Sequence, residues 1–168
     1  LFWASHIQTL NGRSFRDRPT ADVVLVVDSS ETGWGALAVR GGSVVWTGAG
    51  AFPSDFLGTS SHAREILGLA LAIRKAEEEM GISGHRIVVH MDNQGAVAST
   101  ESKSTSGRAS LSALAFLWGI TLEHDIDIQP QWCPRDEGWI PAADRLSKGR
   151  QIGLEHLRPI PQSLPPPD

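Results

Sequence analysis

Cysteine is almost missing from this chain. Cys133 stands alone, so no internal disulfide can form, and no cluster of Cys and His offers a structural zinc site. An intracellular setting is the expectation. Long apolar runs are missing too: none approaches the roughly 20 residues that a membrane span needs, and no basic-then-apolar start resembles a signal peptide. No membrane partner is expected. Basic residues are in short supply, with 15 Lys and Arg against 19 Asp and Glu, a net charge of −4 and a pI near 5.8. That balance argues against a free-standing nucleic-acid binder, whose affinity comes chiefly from Lys and Arg on phosphates. It does not exclude an enzyme acting on nucleic acid, because acids around metal ions make a site negative and a neighbouring domain can supply the grip on phosphate. Internal repeats are absent. The chain starts at Leu1 rather than Met, which reads as a piece of a longer protein.

What is present fits about one domain of 168 residues. Phe2, Trp3, Ile7 and Leu10 fall at near-helical spacing before the Asn11-Gly12 stop, predicting a short helix over 1–13 and a polar link from Arg13 to Thr20. The apolar run Val23 to Val27 predicts a first strand; Trp34 to Val39 and Val44 to Trp46 predict two more, joined through Gly41-Gly42. Thr59, Ser60 and Ser61 are natural caps for a helix whose stretch Ile66 to Ile73, apolar on all sides, must be buried, and whose end Arg74 to Glu79 should meet water. Arg86 to Met91 predicts a fourth strand, 94–99 a short helix, and 108–123 another, with a stripe of Leu111, Leu114, Ala115 and Trp118. Ile126 to Trp132 is the fifth strand, and Pro141 suits the first turn of a closing helix. The expected divisions are a connection helix and linker at 1–20, one domain at 21–150 and a Pro-rich tail at 151–168. This order predicts an α/β fold: a mixed five-stranded sheet with helices on both faces.

Four acids sit at related places in that scheme: Asp28 after the first strand, Glu65 at the start of the buried helix, Asp92 after the fourth strand and Asp144 in the last helix. If the first and fourth strands pair in parallel, Asp28 and Asp92 leave neighbouring carboxyl ends, where α/β sheets bind ligands. Four acids in one cleft repel and raise one another's pKa unless cations neutralise them. With no soft sulfur or paired histidines, Mg²⁺ or Mn²⁺ is the natural partner. Two such ions about 4 Å apart can activate a water and stabilise the leaving oxygen of a displacement at phosphorus, which implies phosphodiester hydrolysis. Singly, each acid has a plainer explanation: Asp28 an Asx-type turn, Glu65 and Asp144 the dipole of a helix start, Asp92 with Asn93 a helix cap. Those explanations would have to hold independently at four correlated positions.

The same residues carry a resemblance to a known family. Asp28-Ser29-Ser30-Glu31-Thr32-Gly33-Trp34-Gly35-Ala36, Glu65, Asp92-Asn93 and Ala143-Asp144-Arg145-Leu146-Ser147 together resemble the ribonuclease H domain of retroelement polyproteins, most closely that of DIRS-type retrotransposons. Phe2-Trp3 and Leu10-Asn11-Gly12-Arg13 look like the connection to a reverse transcriptase domain. The resemblance runs over about 1–148 and implies a ribonuclease H-like fold with Mg²⁺-dependent cleavage of the RNA strand of an RNA/DNA hybrid. By the same resemblance, Asp28 would bridge two metals, Glu65 and Asp92 would complete the site beside the RNA, and Asp144 would hold the metal that activates water. An adjacent reverse transcriptase domain is the implied partner.

Reading RNA takes groups that reach 2′-hydroxyls, and Ser60, Ser61, His62, Asn93 and Gln94 lie where such contacts would fall, with capping and ordinary surface polarity as the alternative. Trp34 reads as core rather than a stacking platform. Two positions differ from the family: no histidine lies between Cys133 and Ala143, and Ile140 stands where an asparagine is usual. Both bear on turnover rather than on fold or metal binding. They leave open an inactive domain kept as a spacer or interaction surface, and an integrase-like member of the same superfamily is a third reading.

Overall fold

A strand of five apolar residues is buried on both sides only if other elements cover both faces of its sheet. The structure, a computed structural model, describes Ala4, Ile7 and residues 18–153. In it Val23, Leu25 and Val27 enter one core and Val26 a second, on the opposite face. The strands are β1 (Thr20–Ser29), β2 (Gly33–Arg40), β3 (Ser43–Ala51), β4 (Arg86–Met91) and β5 (Asp127–Trp132). They form one sheet in the order β3-β2-β1-β4-β5. β1 pairs antiparallel with β2 and parallel with β4; β2–β3 is antiparallel and β4–β5 parallel. Gly41 and Gly42, at φ +56° and +80°, make the β2–β3 turn, a conformation that glycine adopts without penalty.

The helices are α1 (Ser61–Met80), α2 (Gln94–Ser102), α3 (Arg108–His124) and α4 (Ile140–Ser147), with a 3₁₀ turn at Ser54–Phe56. α1 and α3 pack with one face of the sheet in the larger core, and Trp34 and Trp46 close it beside β3. α4 covers the other face through Ile140, Ala142 and Ala143 on Val26, Leu37 and Val39. The mixed sheet flanked on both faces is the architecture expected from the order of elements.

α1 starts where the serines place it: Ser60 Oγ accepts from the Ala63 amide at 3.2 Å, and Gly81 at φ +71° ends the helix. Its interior from Ile66 is buried apart from the half-buried Leu71, and Arg74, Lys75, Glu78 and Glu79 meet water. The stripe expected on α3 is corrected. Leu111 is 57 % exposed, and the inward face is Ala113, Leu114, Leu117 and Ile120. Apolar residues lie almost all round this helix, so spacing alone could not fix its rotation. Ala4 and Ile7 are helical and exposed; the rest of the expected helix over 1–13, and the tail beyond 153, lie outside the described residues. Among the described residues no helix is long and apolar enough to cross a membrane.

Candidate metal centre

Parallel pairing sets Val26 opposite His90. Side chains alternate along strands, so Asp28 and Asp92, each two residues further on, leave neighbouring strand ends on the same side. α1 reaches them through a glycine. A Cβ on Gly68 would collide with the Ser29 hydroxyl, which donates to the Arg64 carbonyl at 3.1 Å. That close approach seats Glu65, one turn before Gly68, beside Asp28. One oxygen from each of Asp28, Glu65 and Asp92 lies within 4.8 Å of the others.

α4 arrives from the opposite face, where Gly33 and Gly35 leave room for its backbone. Ser30 fastens it: Oγ donates to the Ser147 carbonyl at 2.8 Å and accepts from the Gly33 amide at 3.1 Å. Asp144 thereby joins Asp28 and Glu65 on the wall of a cleft of about 630 Å³.

Asp28 and Glu65 are 3 % and 5 % exposed, and the Asp92 side chain 2 %. Burial, then the charge of Asp92, pushes the Asp28 carboxyl up to about 7, with Asp144 adding to the rise. Burial, then the charges of Asp28 and Asp92, pushes Glu65 up to about 9. Glu65 Oε2 is buried with no hydrogen-bond partner. Buried polar atoms are normally paired, and a hard divalent cation with oxygen ligands would both satisfy this atom and relieve the repulsion. The donor set therefore fits Mg²⁺ or Mn²⁺.

The four acids are not equivalent. Asp144 lines the cleft but stands outside the group of three, with its side chain 38 % exposed and Oδ2 on Lys148 Nζ at 2.8 Å. It comes from a helix on the far side of the sheet, and a cation one turn away neutralises it. Asp28 does not form the β1–β2 turn, since Ser30 does.

Of the residues expected to read the substrate, Ser61 and Asn93 line the cleft, whereas Ser60, His62 and Gln94 do not. Ser60 caps α1. His62 Nε2 sits 3.0 Å from Ser99 Oγ, between α1 and α2. Gln94 is exposed at the start of α2. Asn93 caps α2 as well, through Oδ1 and the Ala96 amide at 2.9 Å.

Sequence reasoning missed the cations. Arg135 Nε donates to Asp92 Oδ2 at 2.9 Å, Lys148 holds Asp144, and Arg64 lines the same cleft with its guanidinium turned onto the Thr59 carbonyl. Lys148 was legible as the i+4 partner of Asp144. Arg135 was not, because it meets its acid across a loop.

LC11-RNase H1, solved in complex with an RNA/DNA hybrid, superposes with a TM-score of 0.63 at 14% identity, over 76% of this chain and 95% of that one. The fold is that of ribonuclease H. RNase H1 from the halophilic archaeon Halobacterium salinarum NRC-1 shares it at a TM-score of 0.60 and 17% identity, over 74% of this chain and 92% of that one. So does the foamy viral protease-reverse transcriptase in complex with RNA/DNA hybrid, at a TM-score of 0.53 and 13% identity, over 83% of this chain but 21% of that longer one. No protein-family model and no curated protein matches the chain. Identities this low establish the ribonuclease H fold; the activity has to be argued from the carboxylates.

Proposed function

We propose that this chain is a metal-dependent endonuclease that hydrolyses the RNA strand of RNA/DNA hybrids, as one module of a reverse-transcribing polyprotein. The observation that carries this reading is the convergence of three buried carboxylates, with an unpartnered Glu65 oxygen among them, at adjacent strand ends of a ribonuclease H fold. Bound there, two Mg²⁺ or Mn²⁺ ions would supply a water made nucleophilic and a stabilised leaving oxygen. Asp28, Glu65 and Asp92 would hold the ions, and Asp144 would add a fourth carboxylate from the opposite wall. Burial of the three acids keeps bulk water from screening their charge.

Selectivity for RNA falls to Ser61 and Asn93 on the cleft wall. With its Oδ1 occupied by the cap, Asn93 still has its amide N–H groups, donors suited to a 2′-hydroxyl. The Gly33-Trp34-Gly35-Ala36 and Ala143 to Ser147 segments resemble those of retroelement ribonuclease H domains, and on that resemblance the proposal extends to a retroelement source of the DIRS type, a neighbouring reverse transcriptase domain and an intracellular place of action.

One observation favours a second reading, a catalytically silent domain of the same fold: Arg135 and Lys148 already neutralise Asp92 and Asp144 without any ion. Cleavage of a labelled hybrid beside an all-DNA duplex separates the two. The wild type should cut the RNA strand in Mg²⁺ and spare the duplex, and Asp92→Asn should lower the rate by about 10²–10³-fold. A hybrid left intact by the wild type even with Mn²⁺ would establish the silent reading. Equal cutting of the duplex would overturn the substrate assignment.

A further inference from the structure

The ion pair between Arg135 and Asp92 is lopsided: the carboxylate is 2 % exposed and the arginine side chain 86 %. Only Nε is bonded to the acid. Both Nη groups are without a protein partner among the described residues, and Arg135 lines the cleft, so its remaining N–H donors are open to a ligand there. Arg135 is also the most open of the cations here. Lys148 is 45 % exposed and sits on Asp144, and Arg64 is turned onto the Thr59 carbonyl.

The loop that carries Arg135 is anchored where it leaves β5. Trp132 Nε1 donates to the Asp92 carbonyl at 3.2 Å while its ring stays 45 % exposed, and the Cys133 amide donates to Met91 at 2.8 Å. An exposed arginine usually gains little from one ion pair. Here the pair tethers an exposed guanidinium to the wall of the cleft, beside acids that would otherwise repel a polyanion. A guanidinium fork matches two oxygens of a phosphate, which a lysine ammonium does not.

We propose that Arg135 is a substrate-holding residue, with Nε keeping Asp92 oriented while the Nη fork takes a backbone phosphate of the nucleic-acid strand that crosses the cleft. This rests on the hybrid-cleaving reading above. It gives an acidic chain a fixed phosphate contact next to its carboxylates.

Hybrid binding measured by fluorescence anisotropy, with Ca²⁺ replacing Mg²⁺ and over a salt series, tests it on the wild type, Arg135→Ala and Arg135→Lys. Arg135→Ala should weaken binding about 5–20-fold and reduce the slope of log Kd against log salt by about 0.7–0.9, one phosphate contact. In Mg²⁺ its KM should rise more than its kcat falls. Arg135→Lys should recover the salt slope but only part of the affinity, because its ammonium is a point charge.

An unchanged Kd and slope in Arg135→Ala would overturn the proposal. So would a lowered melting temperature or Mn²⁺ affinity with the slope intact, since Arg135 would then serve Asp92 alone. If the wild type binds the hybrid but does not cut it, the ribonuclease reading fails while the slope still decides the role of Arg135. If the wild type does not bind the hybrid, both fall.

Discussion

Gly35 of β2 and Ala143 of α4 approach so closely that a Cβ on the glycine would stand 2.5 Å from the Ala143 carbonyl oxygen. Backbone, not a flexible side chain, blocks the space, so Gly35→Ala must push α4 off the sheet and carry Asp144 with it. Overpacking of this kind costs about 1–3 kcal/mol. A small displacement of a catalytic group can lower a rate up to about 10²-fold, so hybrid cleavage should suffer more than stability. Thermal melts and cleavage rates of the variant check this; wild-type values in both would mean that α4 does not need the glycine.

Asp28→Asn should stabilise the metal-free protein. At pH 8 the folded state holds Asp28 as a buried carboxylate, its pKa raised to about 7 by desolvation and then by the charge of Asp92, beside Glu65, raised to about 9, and the amide removes the Asp28 charge. A gain of about 1–3 kcal/mol is expected, with loss of both hybrid cleavage and stabilisation by Mg²⁺. Melting temperatures in EDTA and in Mg²⁺ decide it. A sharp drop in EDTA would make Asp28 a structural acid.

Stability without metal should fall as pH rises. The unfolded carboxyls ionise near pH 4, whereas Asp28 keeps its proton to about 7 and Glu65 to about 9. Between those limits the native state binds more protons than the unfolded chain, so the slope of stability against pH is negative. The penalty is absent below pH 4, grows through about 7 and is complete above about 9. Stabilisation by Mg²⁺ should run the other way and strengthen through pH 7, because the ion needs ionised ligands. A series of melts from pH 5 to 9 in EDTA, with Asp28→Asn as control, tests both signs; a wild-type profile that rises, or that matches the control, contradicts them.

Much of the scaffold was legible because each core strand and helix declares itself locally. The run Val23 to Val27 specified a strand buried on both faces, and Ser60 and Gly81 bracket α1 by cap chemistry that depends on neighbours in sequence. Three of the four singled-out acids converge because two parallel strand ends and one helix start are fixed by that scaffold. What escaped depends on contacts distant in sequence. The rotation of α3 is set by which side meets α1 and the sheet, and Leu111 loses to Leu117 for reasons no local pattern records. The pairing of Arg135 with Asp92 joins residues 43 positions apart. The roles of Gly35 and Gly68 appear only once helix backbones lie against them.

The sheet order has a kinetic consequence. β1, β2 and β3 follow one another through tight hairpins, so they can associate early, whereas β4 docks only after the long α1 crossover has closed. On that topology Asp92 is expected to join Asp28 only once the α1 crossover has closed, which postpones the clash of charges. Magnesium, with no assembled binding site to grip before that step, would slow unfolding and leave the folding rate almost unchanged, acting as a clasp on the finished chain rather than as a nucleus for it.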